Sequence, residues 1–93
     1  MAVGLLRVRL KLYDTETLKD KRSILEGLLI RTRREFNVSA AELDLTDDPG
    51  AALLGFAHLS NNGRYSDQVL MNLLRRLDGA RDYLVEDYEF HIF

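Results

Sequence analysis

The chain has 93 residues, 13 Lys and Arg against 15 Asp and Glu, a formal net charge of −2 and no cysteine. A single domain of this length buries only about 60–65% of the surface its unfolded chain exposes, which leaves little room for an enclosed catalytic cavity. The missing thiols exclude a disulfide framework, thiol redox chemistry and thiolate metal sites, and the near-balanced charge means that only a local basic patch could attract nucleic acid.

Met1–Leu6 is apolar, but Arg7, Arg9 and Lys11 follow it in alternation. A signal peptide has the opposite order, and no stretch reaches the roughly 20 apolar residues that span a bilayer. The expected residence is cytoplasmic, with no membrane partner. Val3–Leu12 alternates with period two: Leu6, Val8, Leu10 and Leu12 point one way, and Leu5, Arg7, Arg9 and Lys11 the other. This predicts a strand with one buried face.

Thr17 is placed to cap the next element, with Asp20 at the third helical position. From Leu18 to Phe36 the apolar residues Leu18, Leu25, Leu28, Leu29 and Phe36 mark one stripe of an amphipathic helix, and Asn37 suits its left-handed stop. Val38–Leu45 reads as a second strand with Ala41, Leu43 and Leu45 inward, followed by an Asp-Asp-Pro-Gly turn. Ala52–Leu59 is a third strand. Its small or apolar set Leu53, Gly55, Ala57 and Leu59 is expected inward, which sends Leu54, Phe56 and His58 to the other side.

Ser60–Gly63 breaks the chain before a second helix from about Arg64 to Leu77, with Val69, Leu70, Leu73, Leu74 and Leu77 on one side and Gly79 at its end. Tyr83–Phe93 is the last strand, in which Leu84, Tyr88, Phe90 and Ile92 form the expected buried set. The order strand, helix, strand, strand, helix, strand predicts an α+β, ferredoxin-like βαββαβ sandwich over residues 1–93. Two helices cover one face of a four-stranded antiparallel sheet, with the first and third strands in the centre.

The run Thr17-Leu18-Lys19-Asp20-Lys21-Arg22-Ser23-Ile24-Leu25 resembles the Ser-Leu-Lys-x-Lys-Arg-Ser-hydrophobic-Leu signature of the YlxP-like (DUF503) family of small bacterial proteins. The likeness continues through Phe36–Glu42 and returns at Leu54-Gly55-Phe56-Ala57 and Ser60-Asn61. It implies a ferredoxin-like fold. The family's genes often lie near those for translation initiation and ribosome-binding factors, which implies a role around ribosome assembly or RNA. Where relatives typically carry a polar loop of the kind Asp-x-Trp-Gln-Arg, this chain has Thr46-Asp47-Asp48-Pro49-Gly50-Ala51.

Two surfaces are candidates for function. Lys19, Arg22, Arg33 and Arg34 fall opposite the leucine stripe of the first helix, Lys21 sits nearer its buried side, and Ile30 projects between the two basic clusters. Free N–H groups at that helix start, beside Lys19 and Arg22, would suit a phosphate. The open sheet face is the other candidate: Arg7 and Arg9 beside Leu54, Phe56, His58 and Val85, either as a base-stacking platform or as a homodimer surface. Cross-strand pairing of Arg7, Arg9 and Lys11 with Asp87 and Glu89 competes with phosphate for those cations. His58 and His91 lack a converging third group, and no nucleophile elbow or phosphate loop is present. The expectation is a non-enzymatic protein with no catalytic residues, metal or cofactor. It would bind structured RNA or the ribosome through the helix, with a homodimeric protein-interaction module as the alternative.

Overall fold

A computed structural model describes residues 1–93. The opening alternation forms β1 (Ala2–Leu12), and Leu6, Val8, Leu10 and Leu12 are all buried. α1 (Leu18–Phe36) starts at a complete capping box: Thr17 Oγ1 accepts the Asp20 N–H at 3.1 Å, and the Asp20 carboxylate accepts the Thr17 N–H at 3.2 Å. Asn37 stops it at φ 51°, the left-handed conformation asparagine tolerates. β2 (Ser39–Asp44) and β3 (Ala51–Ser60) follow. α2 (Gly63–Leu77) is capped by Asn62, whose side chain accepts from the N–H groups of Arg64 and Tyr65. β4 (Tyr83–Ile92) completes the chain.

The sheet order is β2-β3-β1-β4, with every neighbouring pair antiparallel. This is the ferredoxin-like βαββαβ arrangement. α2 lies over β1 and β3, α1 lies over β2, and β4 is covered only at its margin. Leu25 and Leu28 from α1 and Leu70, Leu73 and Leu77 from α2 close one core against Leu6, Val8, Leu10, Leu54 and Phe56. Each such side chain contributes about 1.5–3 kcal/mol by leaving water.

Three strand faces differ from the sequence expectation. In β3 the inward set is Leu54, Phe56 and His58, opposite Val8, Leu6 and Gly4 of β1. Cross-strand partners share a face, so the buried face of β1 dictates that of β3. The larger apolar side chains fill the core, and the small residues lie outside. In β2 the helix side carries Ala40 and Glu42, while Ala41 and Leu43 are exposed; a register shift between Glu42 and Asp44 leaves Leu43 lying over Gly55 on the open face. In β4 a bulge between Asp87 and Val85 inserts Glu86, which reverses the parity. Val85 therefore packs half-buried against the core, and Leu84 faces outward.

Candidate functional site: the exposed face of α1

The reversal of β3 removes the base-stacking platform. Phe56 and Leu54 are fully buried beneath the helices, and His58 is sealed beside them. His58 Nδ1 lies 2.9 Å from Ser66 Oγ, which lies 2.6 Å from Ser60 Oγ, and the Tyr65 ring meets the imidazole edge-on at 5.5 Å. This network satisfies a polar group in the core. His91 projects from the opposite face of the sheet, so the two histidines cannot share a ligand.

On the open face, Arg7 and Arg9 do occupy the predicted row. Arg7 Nη1 donates to Glu89 Oε1 at 2.7 Å, and Arg9 Nε lies 3.9 Å from Glu86 Oε1, the bulge residue rather than Asp87. Their neighbours on β3 are Gly55 and Leu53, with no aromatic ring. With Val85 inward as well, the predicted interface reduces there to Arg7 and Arg9, both already paired.

The α1 residues separate into two groups. Lys21 is 2% exposed. Its Nζ donates to the carbonyls of Leu45 at 2.7 Å and Asp48 at 2.8 Å, and sits 2.7 Å from Glu42 Oε2. The Lys21–Glu42 contact lies outside hydrogen-bond angles, so Oε2 is matched by charge alone. Lys21 thus ties the loop after β2 to α1 and is not a surface cation. Arg33 is partly committed, because its Nη2 donates to the Ala40 carbonyl at 2.6 Å. Lys19, Arg22 and Arg34 are exposed and pair with no carboxylate. Ile30 is 41% exposed between them.

The start of α1 is not a phosphate seat. Asp20 accepts from the N–H groups of Glu16 and Thr17, and those bonds hold its carboxyl below the usual carboxylate range. A fixed negative charge therefore stands where an anion would have to bind. The usable surface is the flank of the helix instead. A shallow groove of about 350 Å³ runs along it, lined by Leu29, Ile30, Arg22 and Arg33 together with the carboxylates Glu26 and Glu42. Sequence periodicity locates Ile30 and the cations, but it does not reveal Glu42, whose approach depends on the inward parity of β2.

Elsewhere the cations divide: Lys11, Arg31, Arg64 and Arg81 pair with no carboxylate, and Arg75 donates to Asn72. Arg76 pairs with Glu35 and lies over the Phe36 ring at 5.9 Å. Across α1 itself, six Lys and Arg face three Asp and Glu, so this segment is basic in a chain whose net charge is −2.

Fold and surface together define a small α+β protein built on a ferredoxin-like sheet, with a basic helix flank and a sealed core. The family described as "Protein of unknown function (DUF503)" matches residues 3–90, and the chain belongs to that family. It is also similar to the uncharacterized protein YlxP of Bacillus subtilis (strain 168), 29% identical over 76 residues, which cover 82% of this chain and 83% of the relative. No helix is long and apolar enough to cross a membrane.

Proposed function

We propose that this is a non-enzymatic cytoplasmic protein that binds structured RNA, in the setting of ribosome assembly, through the exposed flank of α1. The observation that carries the reading is the unequal fate of the cations. On the sheet, Arg7 is hydrogen-bonded to Glu89 and Arg9 lies 3.9 Å from Glu86, whereas Lys19, Arg22 and Arg34 have no carboxylate partner. Free guanidinium and ammonium groups are what phosphate contacts need. From Lys19 to Arg34 the helix runs roughly 22 Å at 1.5 Å per residue, long enough to meet several phosphates.

The groove beside these cations supports the same reading. Ile30 and Leu29 give an apolar surface against which an unstacked base or a ribose can rest while Arg22 and Arg33 meet the backbone. The non-enzymatic part rests on His58 and Ser66. They are the Ser–His pair within hydrogen-bond reach, and both are sealed in the core where no substrate enters.

Cosedimentation with purified ribosomal subunits tests the proposal. Wild-type protein is expected to travel with a subunit fraction at low salt, and a Lys19→Glu/Arg22→Glu/Arg34→Glu variant to stay at the top of the gradient. Equal sedimentation of the two proteins would refute the assignment to α1.

A further inference from the structure

The sheet has two edges, β2 and β4, and the chain covers them unequally. At β2 the outward carbonyl of Ala40 is taken by Arg33, and Lys21 holds the loop that follows. β4 has no comparable cover. Val3 and Phe93 exchange both backbone hydrogen bonds, at 3.0 and 2.8 Å. By antiparallel alternation, His91, Glu89 and Asp87 also direct their backbone groups at β1. Tyr88, Phe90 and Ile92 therefore direct theirs away from the sheet. The Tyr88 N–H is held by Asp87 Oδ1 at 2.9 Å, as this geometry requires, and those of Phe90 and Ile92 face solvent.

Natural edges are commonly blunted by charged side chains, above all Lys, by Pro or by a bulge, and the carboxylates of β4 lie on Glu86, Asp87 and Glu89. β4 contains neither Lys nor Pro, and its bulge at Glu86 precedes the run. On the helix side of this run, Tyr88 is 53% and Ile92 46% exposed, and the Tyr88 and Phe90 rings meet edge-on at 5.8 Å.

We propose that a second copy of the chain pairs here, β4 against β4, antiparallel about a two-fold axis through Phe90. That axis sets Tyr88 opposite the partner's Ile92 and Phe90 opposite the partner's Phe90. Each outward-pointing residue then exchanges both ladder bonds with its opposite. It also sets Glu89 opposite the partner's His91 on the open face. Charge selects this register. An axis at Glu89 would oppose two carboxylates directly, and an axis at His91 would leave Tyr88 unpaired. The Tyr88 N–H must exchange Asp87 for the partner carbonyl, and the paired run is short, so the dimer is expected in the micromolar range. β4 lies at the edge opposite β2 and α1, so pairing leaves both helix flanks free and independent of what they bind.

The absence of cysteine makes cross-linking a clean test. In a Tyr88→Cys/Ile92→Cys variant the two positions face each other across the interface as a hydrogen-bonded pair, with Cα atoms about 5.5 Å apart and within disulfide reach, and the Glu89–His91 pair that selects the register is kept. Within one chain, residues four apart on a strand lie about 13 Å apart and cannot bridge. Mild oxidation at tens of micromolar is expected to give a covalent dimer from the double variant and little from either single variant. In wild-type protein, amide exchange at Phe90 and Ile92 is expected to slow at least tenfold between low-micromolar and millimolar concentration. A monomer throughout that range by sedimentation overturns the proposal. So does a dimer in which those two amides still exchange freely, or equal cross-linking of the single variants.

Discussion

Replacing Lys21 by methionine keeps most of the side-chain volume and removes only the ammonium. In the native fold that group lies 2.7 Å from the Leu45 carbonyl, 2.8 Å from the Asp48 carbonyl and 2.7 Å from Glu42 Oε2. The two carbonyls lose their donor, and the Glu42 charge loses its counter-ion and is left half-sheltered. Removing one partner of a buried ion pair costs about 3–5 kcal/mol. The Glu42 side chain keeps 24% exposure, so water recovers part of the loss and a destabilisation of about 3 kcal/mol is expected. For a domain of this length that lowers Tm by roughly 15 °C. Adding Glu42→Leu removes the stranded charge and should recover about 1–2 kcal/mol, a non-additivity that marks direct coupling. Urea unfolding followed by circular dichroism measures all three variants. A loss below about 1 kcal/mol in Lys21→Met, with no coupling to Glu42, would mean that the ammonium is solvated and free for a ligand, and the structural role assigned to it would fall.

Two glycines should respond oppositely to alanine. At Gly4 a Cβ would lie 2.8 Å from Leu70 Cδ1 in the fully buried core, so Gly4→Ala is expected to destabilise by about 1–3 kcal/mol. At Gly55 the obstacle is Leu43, 2.6 Å away but half-exposed and free to swing aside, so Gly55→Ala should be neutral or stabilising by up to about 1 kcal/mol. Thermal unfolding of the pair checks both signs. Tyr83 offers a pH test: burial pushes its phenol above the ordinary value of 10.0. Because the folded value exceeds the unfolded one, its contribution is complete below about pH 10 and is lost as pH rises through the folded value. An ultraviolet titration should show one of the four tyrosines ionising after the rest, and its removal in Tyr83→Phe assigns it.

The elements are legible in the sequence because their signals are local. Thr17, Asp20 and Asn37 fix the ends of α1 through side-chain and left-handed caps, and the leucine spacing of α2 yields Leu70, Leu73 and Leu77 as its buried face. Strand faces are less legible, since period two offers two parities and only tertiary pairing chooses between them. β3 has apolar residues on both parities. Its Gly55 and Ala57 suggest close packing, yet both lie on the open face, where Leu43 rests over Gly55. His58 resembles a surface histidine until Ser66, a full turn into the next helix, supplies its core partner. β4 hides its inward set for another reason: the inserted Glu86 makes Tyr83 and Val85 share a face with Tyr88 and Phe90, which strict alternation forbids. At the candidate site, Lys19, Arg22, Ile30 and Arg34 can be placed from helical period alone. The removal of Lys21 from that surface depends on a loop 24 residues away.

The assignment of binding to α1 rather than to the sheet is tested most directly by the salt dependence of RNA binding in two charge-neutralised variants. Filter binding to a structured RNA at several salt concentrations would compare wild type with Arg22→Gln/Arg34→Gln and with Arg7→Gln/Arg9→Gln. Every cation–phosphate pair removed should flatten the slope of log K against log salt by about 0.7–0.9. The helix variant is therefore expected to lose roughly 1.5 from the slope and at least tenfold in affinity at low salt, while the sheet variant, whose cations already lie beside Glu89 and Glu86, matches wild type. Weakened binding in the sheet variant alone, or no wild-type binding at tens of micromolar in low salt, would contradict it.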